Sequence, residues 1–241
     1  MIRRTAFHAV SLSALLMLAG LSACRSASAA NDAMALPAPT VDSSKMDASK
    51  AAPSDQVAVL AGGCFWGVAS VFEHVKGVRN VVAGYSGGGA STAHYDQVSD
   101  GDTGHAESVQ VRFDPAQISY GQLLQVFFSV ALDPTELNRQ GPDSGTQYRS
   151  VIFYGNDQQK KIASAYIAQL TTAKSFSAPI VTQVVPLQAF YPAEAYHQHY
   201  ASLHPDDLYI VYNDAPKVAH LKQLFPALYQ DEQHVVDVQL H

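Results

Sequence analysis

Between residues 56 and 75 the chain changes its hydrophobic period across two glycines, and any fold it adopts has to begin with that change. Val57-Ala58-Val59-Leu60-Ala61 is an apolar run of strand length. Beyond Gly62 and Gly63, apolar residues recur at Val68, Ala69, Phe72 and Val75, the spacing of one helix face. The segment predicts strand, tight turn, helix, with Cys64 in or beside the first helical turn. A thiol there meets unpaired N–H groups and the positive end of the helix dipole, both of which favour thiolate. A cysteine between Gly63 and Phe65-Trp66 equally suits a small buried hydrophobe, so the rest of the chain must separate the two readings.

The N-terminus bears on that choice. Arg3 and Arg4 precede a stretch, 9–21, dominated by Ala, Leu, Val and Ser, the pattern of a secretory signal peptide. Leu21-Ser22-Ala23-Cys24 resembles the bacterial lipobox, which would make Cys24 the lipid-modified first residue of a mature protein. Arg25, where an Asp would signal inner-membrane retention, points to an outer-membrane lipoprotein facing the periplasm. Cleavage at Ala27-Ser28-Ala29 is the alternative and would release a soluble periplasmic protein. The chain holds two cysteines, and Cys24 is acylated in one case and removed in the other. Cys64 is then left without a disulfide partner in an oxidising compartment. The organisation expected is a signal peptide at 1–23, a lipid-anchored flexible tether at 24–55, a domain at 56–229 and a C-terminal tail at 230–241. The stretch 31–55 is rich in Ala, Ser, Pro, Asp and Lys and lacks aromatics, which is why it reads as a tether; Met34 and Met46 within it carry no assigned role. Net charge is −6, with no basic run and no basic-aromatic interleaving, which excludes nucleic acid as a partner.

Within the domain, 78–83 predicts a second strand closing on the glycine-bearing loop 84–89, which either lets the backbone approach a ligand or is a plain turn. After the polar connection 90–104, Val109, Val111 and Phe113 alternate with Ser108, Gln110 and Arg112 as a half-buried strand, and Glu107 falls in phase with the apolar side. That carboxyl either sits at a wet strand end or is buried. Burial would keep it protonated near neutral pH and make it a proton donor. Asp114-Pro115 ends the strand, and Ser119-Tyr120-Gly121-Gln122 fits a capping box opening a helix with the stripe Leu124, Phe127, Phe128, Ala131, stopped by Asp133-Pro134. The polar loop 137–148 contains Asp143 and delivers Tyr148 to a strand at 150–154. A helix at 158–170, a strand at 180–185 and helical pieces at 193–203 and 217–228 follow. His197, His199 and His204 lack carboxylate or thiolate partners at ligand spacing, and no metal site is expected. The element order indicates an α+β protein, a two-layer α/β sandwich with a mixed, mostly antiparallel sheet in the manner of a ferredoxin-like plait.

With Cys64-Phe65-Trp66, Gly104-His105-Ala106-Glu107 and Gly145-Thr146-Gln147-Tyr148-Arg149-Ser150 in place, the domain resembles the methionine sulfoxide reductase A family. Gly84-Tyr85-Ser86-Gly87-Gly88, Asn138-Arg139-Gln140-Gly141 and Phe190-Tyr191-Pro192-Ala193-Glu194 extend the resemblance over the whole domain in the family's order. The resemblance implies an enzyme reducing methionine-S-sulfoxide, free or in oxidised proteins. Cys64 would be the nucleophile, Glu107 the general acid, and Tyr85 and Tyr148 donors that polarise the S–O bond. Asp143 would hold the polar side of the site, and Phe65 and Trp66 the substrate methyl group. Trp66 is in phase with Ser70 and Glu73, off the apolar stripe, so an exposed indole is expected; Phe65 shares phase with Phe72 and suits core or pocket. A Cys64 sulfenic acid would remain. The family's C-terminal resolving cysteines are missing from 203–241, so an external thiol is required: a thioredoxin, a glutaredoxin or a small thiol. No bound cofactor is expected, the membrane is reached only through the lipid, and a monomer is expected. A one-cysteine thiol peroxidase and a non-catalytic surface lipoprotein are the other readings; the peroxidase leaves Trp66 and the paired tyrosines without a purpose.

Overall fold

The run read as the first strand becomes β1 (Gln56–Ala61), and it takes an interior place in a six-stranded sheet ordered β7-β6-β1-β3-β2-β8. The other strands of that sheet are β2 (Val78–Ser86), β3 (Ala106–Phe113), β6 (Val151–Tyr154), β7 (Gln183–Pro186) and β8 (Tyr191–Pro192); β4 (Arg139–Gln140) and β5 (Asp143–Ser144) form a separate hairpin. The helices are α1 (Phe65–Glu73), α2 (Tyr95–Ser99), α3 (Tyr120–Val126), α4 (Asp157–Thr172), α5 (Tyr200–Leu203) and α6 (Ala215–Leu224). The computed structural model describes residues 34–42 and 55–231, all within the unit Ala33–His241. The signal peptide, Cys24, the remainder of the tether and the tail beyond 231 lie outside the described residues.

The segment β1-α1-β2-β3-α3-β6 is a ferredoxin-like plait with its four strands in the order β6-β1-β3-β2, every neighbouring pair antiparallel. β7 adds in parallel to β6, which makes the sheet mixed, and β8 pairs with the end of β2. Interior strands are buried on both faces. Ala58 and Leu60 enter the main core with α1 and α3, while Val59 and Ala61 join Ala106, Val151 and Phe153 on the opposite face, under Val185, Leu187 and Phe190.

Several boundaries differ from the sequence reading for identifiable reasons. Gly84–Ser86 continue β2 instead of opening a loop, because β3 supplies partners as far as Ser86. The predicted helix 193–203 is broken: a 3-10 turn at Ala195–His197 and the four residues of α5 are separated by His199, whose φ of 54° cannot continue a right-handed helix. Leu124 lies in α3, but Phe127, Phe128 and Ala131 lie in a π-helical turn, Phe127–Ala131. The last helix starts early at Ala215, after a π-helical turn at Ile210–Asp214, and ends at Leu224. The strand expected at 180–185 forms only at Gln183–Pro186.

The flexible-tether expectation fails for 34–42. Leu36 is 3% exposed and belongs to the main core. Its N–H donates to Ser129 Oγ at 3.2 Å, and its carbonyl accepts from Gln125 Nε2 at 2.7 Å. Tyr166 and Gln169 of α4 donate to the carbonyls of Pro37 and Ala38 at 2.8 and 3.0 Å. Asp42 Oδ1 accepts the Gly121 N–H at 3.0 Å and Oδ2 accepts from Ser119, so a distant carboxylate joins the capping box of α3. Composition mispredicts here because one leucine and a row of carbonyls suffice when α3 and α4 supply the apolar groove and the donors.

Candidate active site

The turn from β1 into α1 is held by Gly63, whose φ of 92° suits glycine and whose missing Cβ leaves room for Gln140; a Cβ would lie 2.6 Å from the Gln140 side chain. Gln140 is fixed in turn by the Asp133 N–H at 2.7 Å and carbonyl at 3.0 Å. Cys64 is thereby placed at the N-cap of α1, 8% exposed. The expectation of a helix-activated thiolate is only half met. The Phe65 N–H, one of the free donors of that turn, goes to Glu107 Oε2 at 3.0 Å. Burial pushes the Cys64 thiol well above its ordinary range, and Glu107 and Asp214 add to this; the Trp66 N–H and the Lys217 ammonium pull the other way.

Glu107 lies opposite Tyr85 in the β2–β3 register, and both are buried, so the strand phase that pointed Glu107 inward is correct. Burial pushes its carboxyl up to about 8; the Phe65 N–H opposes the shift, and Asp143 and Asp214 reinforce it. At neutral pH the site therefore holds a proton donor. The start of β3 is locked from two sides. His105 accepts the Gly88 N–H at 3.2 Å, and Arg149 donates to the carbonyls of Gly104 and His105 at 2.8 and 2.9 Å.

Tyr85 donates its hydroxyl to Glu194 Oε2 at 2.9 Å, and Glu194 Oε1 accepts the Tyr95 N–H at 3.0 Å. Tyr148 ends the 3-10 turn Thr146–Tyr148, partly buried, and its phenol is pushed up by burial, then by Glu107, Asp143 and Cys64. Asp143 is half-buried on β5 and its Oδ2 accepts from the Tyr209 hydroxyl. Phe65 is fully buried in the main core, 5.9 Å from the Tyr85 ring and 5.0 Å from His197.

Trp66 is half-buried instead of exposed. Tyr200 stacks on it at 3.7 Å and 8°, Tyr209 meets it edge-on at 6.0 Å, and its Nε1 donates to His197 Nδ1 at 3.2 Å. Ser70 and Glu73, taken as the solvent side of α1, are buried too, and Glu73 pairs with His199 at 2.8 Å. The helix is covered on that side by residues beyond 195, which its own period cannot reveal. Burial holds His197 below its ordinary range against the pull of Glu194, so it is the neutral imidazole that accepts the indole N–H.

Acid, thiol and aromatic wall thus converge on the first turn of α1. A family model described as peptide methionine sulfoxide reductase matches residues 56–228. Among relatives, peptide methionine sulfoxide reductase MsrA 2 of Mesorhizobium japonicum is 61% identical over 183 residues, covering 76% of this chain and 94% of its own. MsrA 2 of Synechocystis is 48% identical and covers 79% of this chain and 88% of its own. The chain belongs to the peptide methionine sulfoxide reductase family. Solved structures agree on the fold. Reduced Mxr1 from Saccharomyces cerevisiae superposes with a TM-score of 0.56 at 34% identity, covering 63% of this chain and 87% of that one. Methionine sulfoxide reductase A of Corynebacterium diphtheriae gives 0.55 at 32%, covering 64% and 76%. The docked segment 34–42 precedes the family match.

Five side chains that bond or pack against Trp66, Gly67, Tyr85 and Asp143 had no role assigned from the sequence: Glu194, Tyr200, Tyr209, Asp214 and Lys217. Glu194 stood in a family string with a usable signal, a carboxyl beside aromatics. The histidines weighed as ligands do other work: His197 holds the indole and His199 pairs with Glu73, while Gln198 between them bonds Ala83 N and O, each at 2.9 Å.

Proposed function

We propose that the chain reduces methionine-S-sulfoxide, free or in proteins, through Cys64. The observation that carries this reading is a single thiol at the N-cap of α1, in the same turn whose Phe65 N–H bonds a buried carboxyl pushed up to about 8. Cys64 as thiolate attacks the electrophilic sulfur, and Glu107 gives its proton to the sulfoxide oxygen. The oxygen passes as hydroxyl to the Cys64 sulfur while the S–O bond of the substrate and the transient bond between the two sulfurs break, so that methionine leaves and Cys64 becomes a sulfenic acid. The proton lost by the thiol restores Glu107, so thiol and sulfoxide give sulfenic acid and thioether in balance. Cys64 is oxidised by two electrons and the substrate sulfur reduced by two.

Trp66, stacked on Tyr200, offers an aromatic face to the methyl group and the positive sulfur. Tyr148 serves as a phenol donor to the oxygen, while Tyr85, bonded to Glu194, supports the site from behind. Asp143, with Tyr209, holds the polar rim. Two equivalents of an external thiol, small or thioredoxin-like, then reduce the sulfenic acid to thiol and water. The signal sequence and Leu21-Ser22-Ala23-Cys24 support action on exported proteins from a lipid-anchored position.

The test is methionine release from a methyl sulfoxide substrate by purified protein. Cys64→Ser is expected to abolish it, and substantial retained activity would remove the thiol from the reaction. Intact mass of the cell-derived protein reports lipidation at Cys24.

A further inference from the structure

Asp214 and Lys217 occupy the space that a methyl group on Gly67 would fill. A Cβ there would lie 2.0 Å from Asp214 Oδ1 and 2.7 Å from Lys217 Nζ. Gly67 is the third residue of α1, so the two charges are pressed onto the turn that begins at Cys64. Asp214 is 0% exposed; its Oδ1 accepts from Lys217 Nζ at 3.1 Å, and its Oδ2 has no hydrogen-bond partner among the described residues. Burial pushes this carboxyl up, and the ammonium pulls it back. A carboxylate with one oxygen left unpaired is an expensive way to pack a helix turn. The segment carrying it is committed to the site, because Tyr209, five residues earlier, bonds Asp143 and meets Trp66.

We propose that Asp214 and Lys217 are an opposed pair of positioning charges that sets the ionisation of Cys64, the carboxylate holding it as thiol and the ammonium drawing it toward thiolate. The inference rests on Cys64 being the reacting thiol and adds how its charge is governed. The two charges are not equivalent: the carboxylate is wholly buried, whereas the lysine side chain is 20% exposed and more screened by water. The balance therefore lies with the thiol in the resting site. A thiol is slow toward alkylating agents and oxidants, since the thiolate is the nucleophile, which protects a lone exported cysteine between substrates. The other groups that act on Cys64 are Glu107 from β3 and the phenols of Tyr95, Tyr148, Tyr200 and Tyr209, while Asp143 from β5 acts on Glu107. Glu107, when ionised, pushes Cys64 in the same direction as Asp214, and the phenols, all held above their ordinary range, remain neutral. Lys217 is the cation that opposes them.

The experiment is the rate of Cys64 alkylation by iodoacetamide against pH, followed by intact mass on the whole protein with no sulfoxide present. Failure of the reductase reading cannot enter this readout. Asp214→Asn, which keeps shape, is expected to lower the midpoint by about one pH unit, a tenfold gain in thiolate below it. Lys217→Met is expected to raise it by a similar amount, and Lys217→Arg to leave it in place. Repetition in Glu107→Gln removes that carboxyl's own titration. Opposite signs are the signature, because loosened packing would expose Cys64 in both variants and accelerate both. Shifts of the same sign, or profiles that superimpose on the parent, overturn the proposal. Should Lys217→Met not fold, Lys217→Gln takes its place, and the opposite sign is still required: a midpoint raised there and lowered in Asp214→Asn supports the pair, and any other combination overturns it.

Discussion

The main-chain N–H of Phe65 points at Glu107 Oε2, 3.0 Å away, and not at the sulfur beside it. The donor that would have stabilised a thiolate instead orients the acid. The helix start thus serves the carboxyl as much as the thiol, and burial favours the uncharged form of both Glu107 and Cys64.

The first prediction concerns the rate. Glu107, with its carboxyl held up to about 8, donates a proton below that pH and has lost it above. The rate of sulfoxide reduction should therefore carry an alkaline limb near pH 8, and Glu107→Gln should lower the rate by about 10²- to 10⁴-fold and erase that limb. Methionine release measured across pH checks both. A limb that survives the substitution belongs to another group.

The same carboxyl links stability to pH. Its folded pKa lies above the unfolded one, so between 4.5 and about 8 the native state keeps a proton that the unfolded chain gives up. Stability contributed by the protonated acid is full below the unfolded value and is lost as pH rises through the folded one. Thermal melts should show wild type losing ground to Glu107→Gln over that window, with the gap widening toward the alkaline side. Parallel melting curves would contradict a buried, neutral Glu107.

His197→Ala should free the indole that now donates to its Nδ1 at 3.2 Å. Trp66 is the only tryptophan in the chain, so its emission reports this site alone. The expected result is a red-shifted, quenched emission and a KM raised roughly tenfold, as for the loss of about one hydrogen bond's worth of positioning, with kcat changed less. If kcat falls and KM holds, His197 acts on the chemistry and not on the aromatic wall.

How far the sequence carried these conclusions depends on the range of the interaction involved. Ser119 and Gln122 announce their capping box within four residues, and the alternation of β3 is enough to turn Glu107 inward. Both signals are local. Trp66 and Glu73 were misread because what covers them arrives more than 120 residues later, as Tyr200 and His199. His199 itself breaks its helix by adopting a left-handed backbone, a conformation with no signal in a run of helix-compatible neighbours. Asp214 and Lys217 look like surface charges on a helix start, and only the bare backbone of Gly67 reveals where they go.

Leu36 supplies the fourth prediction. It is 3% exposed within the main core, so Leu36→Ala should destabilise the fold by about 2–4 kcal/mol through lost burial and the cavity left behind. Denaturant unfolding of the full chain measures it. Reductase activity at low temperature should be unchanged, since none of the residues that Leu36 bonds belongs to the site. A stability change below about 0.5 kcal/mol, the usual range of surface substitutions, would mean that the segment merely rests on the domain.

The last prediction follows from cysteine arithmetic. The chain has two cysteines, and Cys64 is the free thiol among the described residues, while Cys24 precedes the domain. In the reaction proposed above, reduction of one sulfoxide converts Cys64 to a sulfenic acid, and residues 65–241 offer no second thiol to condense with it. Without reductant, methionine release should stop at about one equivalent per chain, and intact mass should rise by a single oxygen with no loss of hydrogen. A small thiol or a thioredoxin, added afterwards, should restore both the mass and turnover, and the faster of the two identifies the class of reductant the site accepts. A mass that falls by two hydrogens would show a disulfide with Cys24, and a dimer mass short of two hydrogens, with half an equivalent of methionine per chain, would show one between chains; regeneration would then proceed by thiol–disulfide exchange at that bond.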